Sequence, residues 1–187
     1  MRPALAILLA LSPLPAQVAR PVSAAARVSH SAQTAPVRVS LTTLAEMSRG
    51  FDRDFQMFAP ADPIDVLGRT RGIYLEGFGA VFTTELDTIL TPRLSPFRPN
   101  ISEPERAQVR QRKLARLPAV ERLMNTMLQS AAKQLAAVPD DQQIVVAVKF
   151  LYLPYEDTSG LPGQLVVQAT RSAILSGAQI EATVSNQ

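Results

Sequence analysis

Two apolar runs flank Gly77-Phe78-Gly79 within residues 72–87, and nowhere else does the chain combine tight-turn chemistry with aromatic residues so densely. Ile73 and Leu75 fall on one face of the first run. Ala80, Phe82, Thr84 and Leu86 fall on one face of the second, which is the period of two that a strand imposes. Glycine takes positive φ without steric cost, so Gly77 and Gly79 suit a tight or bulged turn with Phe78 at its tip. A β-hairpin at the centre of the domain is expected.

The flanking sequence predicts helices before and after it. Leu44, Met47, Phe51, Phe55 and Phe58 recur every three or four residues, one apolar stripe of a helix. Thr43 and Glu46 have capping-box spacing at its start, and Pro60 and Pro63 are expected to end it. Four prolines between 91 and 104 make the next connection extended and stiff. Ser102 and Glu105 repeat the capping-box spacing. Leu117, Val120, Met124, Met127, Ala131, Leu135 and Val138 then give the clearest helical period in the chain. Pro118 is expected to kink that helix or to start a second one. Residues 144–153 are β-branched, aromatic and apolar on both faces, as in a central strand, and 165–169 read as its partner. Thr170 is placed to cap a short helix through Leu175. The order helix, hairpin, helix, hairpin predicts an α+β domain. Two helix–β-hairpin units would form a four-stranded, mainly antiparallel sheet with helices on one face.

The ends of the chain carry different signals. Arg2 followed by the apolar run at 4–11 and a Pro/Ala-rich stretch reads as a secretory signal peptide, residues 1–26, with cleavage between 16 and 26. The run is far short of the roughly 20 residues that span a bilayer, so the mature chain is expected to keep no transmembrane anchor. Residues 27–40 read as a flexible linker, 41–176 as one domain, and 177–187 as a weakly structured tail. The expected location is periplasmic or secreted. The full chain has a net charge of +3, and cleavage removes Arg2 and Arg20 to leave about +1, so bulk charge does not point to nucleic acid. The absence of cysteine excludes disulfides, thiolate metal sites and thiol catalysis.

Several constellations have a chemistry attached. Ser130 and Lys133 have the Ser-x-x-Lys spacing, which resembles the nucleophile motif of penicillin-binding proteins and serine β-lactamases. The chain is short for that fold and contains neither Ser-Asp-Asn nor Lys-Thr-Gly, so this spacing reads as a helix coincidence. Glu76, Glu156 and Asp157 (with Glu85 and Asp87) are candidate carboxylates for hydrolysis if the hairpin tip and the late loop meet at one end of the sheet. Arg106, Arg110 and Lys113 share a helical face that suits an anionic ligand, although a solvated face is the ordinary expectation. Tyr74, Gly77, Phe78 and Gly79 form a candidate contact surface, because an aromatic at a loop tip can anchor a partner. His30, the only histidine, lies in the linker and carries no role. No glycine-rich phosphate loop, zinc pattern or calcium loop occurs, so neither cofactor nor metal is expected.

These signals favour an exported soluble bacterial envelope protein that binds or assembles rather than catalyses, its partner an envelope protein or polymer. The alternatives are a carboxylate-dependent hydrolase of wall polymer, or a homodimer built on the 117–138 stripe.

Overall fold

The computed structural model describes residues 39–59, 61, 63–91, 94–97, 99–178 and 180–185. The expected signal peptide, His30 and all of the linker before Val39 lie outside the described residues. The elements in chain order are α1 (Leu41–Met57), β1 (Asp65–Leu75), β2 (Gly79–Asp87), α2 (Glu103–Gln134), β3 (Gln143–Phe150), β4 (Gln164–Thr170), α3 (Arg171–Leu175) and β5 (Thr183–Ser185). The fold is α+β. Its sheet, however, is mixed and five-stranded among the described residues, in the order β1-β2-β3-β4-β5. The β1–β2, β3–β4 and β4–β5 pairs are antiparallel, while β2 and β3 are parallel.

That parallel pair corrects the expected antiparallel arrangement of two hairpin units. Its cause is the length of α2. Thirty-two helical residues carry the chain back along the sheet at about 1.5 Å per residue, so β3 starts beside the start of β2. The fifth strand falls in the terminal segment whose sequence is small and polar. With three residues its pattern is too short to register as a period.

One apolar core joins the helices to one face of the sheet. Leu44, Met47, Phe51 and Phe55 of α1 pack with Val120, Met124, Met127, Leu128 and Ala131 of α2. Beneath them lie Ala80, Phe82 and Leu86 of β2, Ile144, Val146 and Val148 of β3, and Leu165 and Val167 of β4. The 117–138 stripe is therefore spent on the protein's own core. Phe51 and Phe82 meet edge to face, with ring centroids 5.0 Å apart. The Phe82 ring fits because its cross-strand partner is Gly72, where a Cβ would sit 2.6 Å from a ring carbon.

Helix boundaries follow the caps. Ser40 occupies the N-cap of α1, so the helix begins ahead of Thr43, and the Thr43–Glu46 box is not its start. On α2 the expected box forms, the Glu105 carboxylate accepting the Ser102 N–H at 3.0 Å. The helix runs unbroken through Pro118, against expectation. Proline forfeits one backbone hydrogen bond. Here Pro118 is exposed, while buried residues on both sides of it hold the helix in register. At the short helix α3, Thr170 Oγ1 accepts the Ala173 N–H at 3.3 Å, as its position predicts.

β1 begins seven residues before the expected hairpin. A bulge lies between Leu67 and Arg71, where four steps along β1 match two along β2. The extra residues break the alternation that would reveal a strand. The bulge is fixed from the core side by Asp52 of α1, whose Oδ1 accepts both the Thr70 N–H (2.8 Å) and the Thr70 hydroxyl (2.6 Å). Thr70 and Thr84 also share a hydroxyl–hydroxyl bond of 2.6 Å.

The tightest backbone approach in the sheet is at Gly79, which has φ +133°, and an added Cβ would lie 1.8 Å from the Gln143 carbonyl oxygen. The parallel pair closes only if this residue has no side chain. Gly79→Ala is expected to cost at least about 3 kcal/mol through strain and separation of β2 from β3. Urea unfolding checks this, and an unchanged midpoint would contradict it.

Candidate functional site

The two charge sets that the sequence presents separately meet at one end of the sheet. α2 lies over the carboxyl ends of β2 and β3, bringing its basic face against Asp87 and against the loop that follows β3. Lys113 is 1% exposed. Its Nζ lies 2.7 Å from Glu156 Oε2 and 3.1 Å from Asp87 Oδ1. It also stands 5.1 Å from the centroid of the Tyr152 ring, on which a cation is favoured. Thr91 donates its hydroxyl to Glu156 Oε1 at 2.6 Å, so both carboxylate oxygens of Glu156 are engaged. Further out, Arg110 Nε lies 3.1 Å from Asp157 Oδ2. Its N–H is not aimed at that oxygen, so the contact is an ion pair rather than a hydrogen bond. Arg116 donates to the Thr88 carbonyl.

This geometry corrects two expectations. Lys113 is not on an external anion-binding face, because its counter-charges come from the protein itself. Arg110 is likewise paired with Asp157, and the charge of Arg106 also acts on that carboxylate. The carboxylates do not gather as a hydrolytic pair either. The parallel β2–β3 pairing sets Glu76 at the start of the two strands and Glu156 beyond their far end. Glu85 faces outward and pairs across the strands with Lys149 at 3.0 Å.

The electrostatics are those of a clamp. Burial pushes the Asp87 carboxyl above its ordinary value, although Lys113 pulls the other way. Tyr152 is pushed far above its ordinary value by burial and by the charges of Glu156 and Asp87. It therefore stays a neutral donor, giving its proton to the Pro162 carbonyl at 2.7 Å. Asp157 is held below its ordinary value by its hydrogen bonds from Ser159, with help from Arg110. Beside the clamp is a cleft of about 540 Å³ lined by Tyr152, Leu153, Pro154, Glu156, Thr158 and Leu161. The only carboxylate in that lining, Glu156, has both oxygens occupied. The cluster joins helix, strands and loop through groups that partner one another.

At the opposite end is the hairpin tip. Phe78 is tied through its backbone, its N–H donating to Leu75 O at 3.0 Å and its carbonyl accepting from Gln143 N at 2.8 Å. Gly77 has φ +76° in that turn, and Gly79 makes the close approach described above. Tyr74 points to the core side, its hydroxyl donating to Gln142 Oε1 at 2.8 Å. Three of the four candidate contact residues thus build the turn and its junction with β3. The Phe78 side chain is 43% exposed, and close by Ile73 is 51% and Leu75 46% exposed. Sequence reasoning missed Ile73 and Leu75 as surface residues because their strand period assigns a face without saying which face is covered. Ser130 accepts a hydrogen bond from Gln134 at 2.8 Å, and Lys133 is exposed. Among the described residues no cluster of metal-ligating side chains occurs, and no helix is long and apolar enough to cross a membrane.

Lys113→Met leaves Asp87 and Glu156 buried without their cation and is expected to cost about 3–5 kcal/mol, read from urea unfolding. A loss under about 1 kcal/mol, as for an exposed pair, would contradict the clamp. The pH dependence has a definite sign. The folded chain holds the Asp87 proton more tightly than the unfolded chain, whose Asp titrates near 3.8, so stability falls as pH rises through that window. Relative to Asp87→Asn, which cannot titrate there, the wild type is expected to lose stability from about pH 4 upward, then hold a constant gap once Asp87 is ionised. A gap that moved the other way would reverse the assignment. No known protein family, curated protein or solved structure matches this chain.

Proposed function

We propose that this protein is exported by its N-terminal signal sequence and works in the periplasm or outside the cell as a non-catalytic binding or assembly factor. Its partner, an envelope protein or polymer, is met at the hairpin-tip end of the sheet face that no described element covers. The observation that carries this reading is the run of half-exposed apolar side chains Ile73, Leu75 and Phe78 on a backbone that is pinned in place. A rigid apolar anchor loses little conformational entropy on binding, which favours its use as a contact. The charged cluster supports the same reading from the other side, because its groups are engaged with one another rather than poised for a substrate.

Two measurements test this. Intact mass of the protein from the extracytoplasmic fraction is expected to show a first residue between 17 and 27; an unprocessed Met1 chain confined to the cytosol would end the export reading. A photo-crosslinker placed at residue 78 is expected to capture an envelope component, and Phe78→Ala to weaken that association about tenfold, with no change in unfolding midpoint. Equal capture from a crosslinker at Arg53, on the helical side, would remove the tip from consideration.

A further inference from the structure

The outward face of the sheet also holds a groove of about 710 Å³, built around the bulge in β1 and separate from the tip residues. The register sets the groove's residues in two rows across the strands. Arg71, Thr83 and Ala147 form one row, and Leu67, Glu85, Lys149 and Gln164 the other, with Arg69 of the bulge also lining the groove. No described element packs over them.

The groove carries two positive charges without a counter-charge in its lining. Arg69 and Arg71 are exposed, and neither has an ion-pair or hydrogen-bond partner among the described residues. Glu85, the one acid in the lining, is neutralised by Lys149 at 3.0 Å. The two guanidiniums are therefore uncompensated. The backbone between them is held in place. The bulge carrying Arg69 is locked from behind by the bonds of Thr70 to Asp52 and Thr84, both threonines being buried. Bulges re-aim side chains where a strand meets something other than its neighbour.

We propose that this groove binds an extended acidic peptide segment, with Arg69 and Arg71 each taking a carboxylate. Arg69 and Arg71 line the same groove on either side of the buried Thr70, and their long side chains can reach carboxylates at alternate positions of an extended peptide, roughly 6–7 Å apart. The guanidinium fork matches a carboxylate in two hydrogen bonds. Thr83 and Gln164 offer donors and acceptors for the peptide backbone. Ile73, one row beyond Arg71 on the same face, gives an apolar residue of the partner a neighbour. The inference rests on the reading that this face meets the partner, and supplies that partner's chemistry.

Fluorescence anisotropy with the full processed chain tests it, the probe being a labelled alternating Glu-Ala peptide. Saturable binding is expected, weakened by salt and at least tenfold by the double variant Arg69→Gln/Arg71→Gln. Arg53→Gln is expected to have no effect, and an alternating Gln-Ala peptide not to bind. Both arginines are exposed, and an unchanged unfolding midpoint checks that the double variant is folded. Failure of the acidic peptide to bind, equal binding by the double variant, or binding of inorganic phosphate without any peptide binding would each overturn the proposal. Peptide binding that survives Phe78→Ala separates the two sites: the groove then stands whether or not the tip captures a partner.

Discussion

The parallel pairing of β2 with β3 governs what the rest of this protein can do. A parallel neighbour demands a crossover, and α2 supplies it across the core face. With α1 and α3 sharing the same core, the helices lie on one side of the sheet and leave the other without a described cover. The pairing also fixes which ends meet. Phe78 and Gln143 are joined at one end by a backbone bond of 2.8 Å, and Leu86 and Leu151 at the other by one of 2.9 Å. That register sets the tip, the late loop and the charged residues where they are.

Much of this architecture is legible in the sequence, because it is written in local periods. The stripes of α1 and α2, the Ser102–Glu105 box, the Thr170 cap and the alternation through Phe82 depend on residues within a few positions of each other, and they reappear in the structure. What could not be read is non-local. The relative direction of β2 and β3 is set by how far α2 runs, and Pro118 reads as an interruption until packing on both sides is known. The bulge hides the first half of β1, since its extra residues cancel the period that signals a strand. Lys113 on a helix rich in arginine looks solvated. Only the fold brings Asp87 and Glu156 to it, from 26 positions upstream and 43 downstream in the numbering.

The same distinction separates structural from available charge. At the far end of the sheet, acids and bases neutralise one another and draw helix, strand and loop together at the cost of desolvation, an arrangement favoured only because each group has a partner. On the outward face the bookkeeping differs: Glu85 and Lys149 cancel, and Arg69 and Arg71 are left over. Beside them the apolar side chains of Ile73, Leu75 and Phe78 stay half in water. A surface with both uncompensated cations and a rigid apolar edge suits recognition of another molecule better than chemistry on one.

In this fold the hairpin tip and the loop after β3 lie at opposite ends of the sheet. The chain has no cysteine, so Glu76→Cys and Thr158→Cys, both at exposed positions, can carry a pair of spin labels without competition. Pulsed dipolar spectroscopy should give a separation of roughly 30 Å, the length of the nine-residue strand between them. A distance below about 15 Å, half that strand length, would mean that β2 and β3 run antiparallel, and would return the carboxylates of the tip and the late loop to a common site.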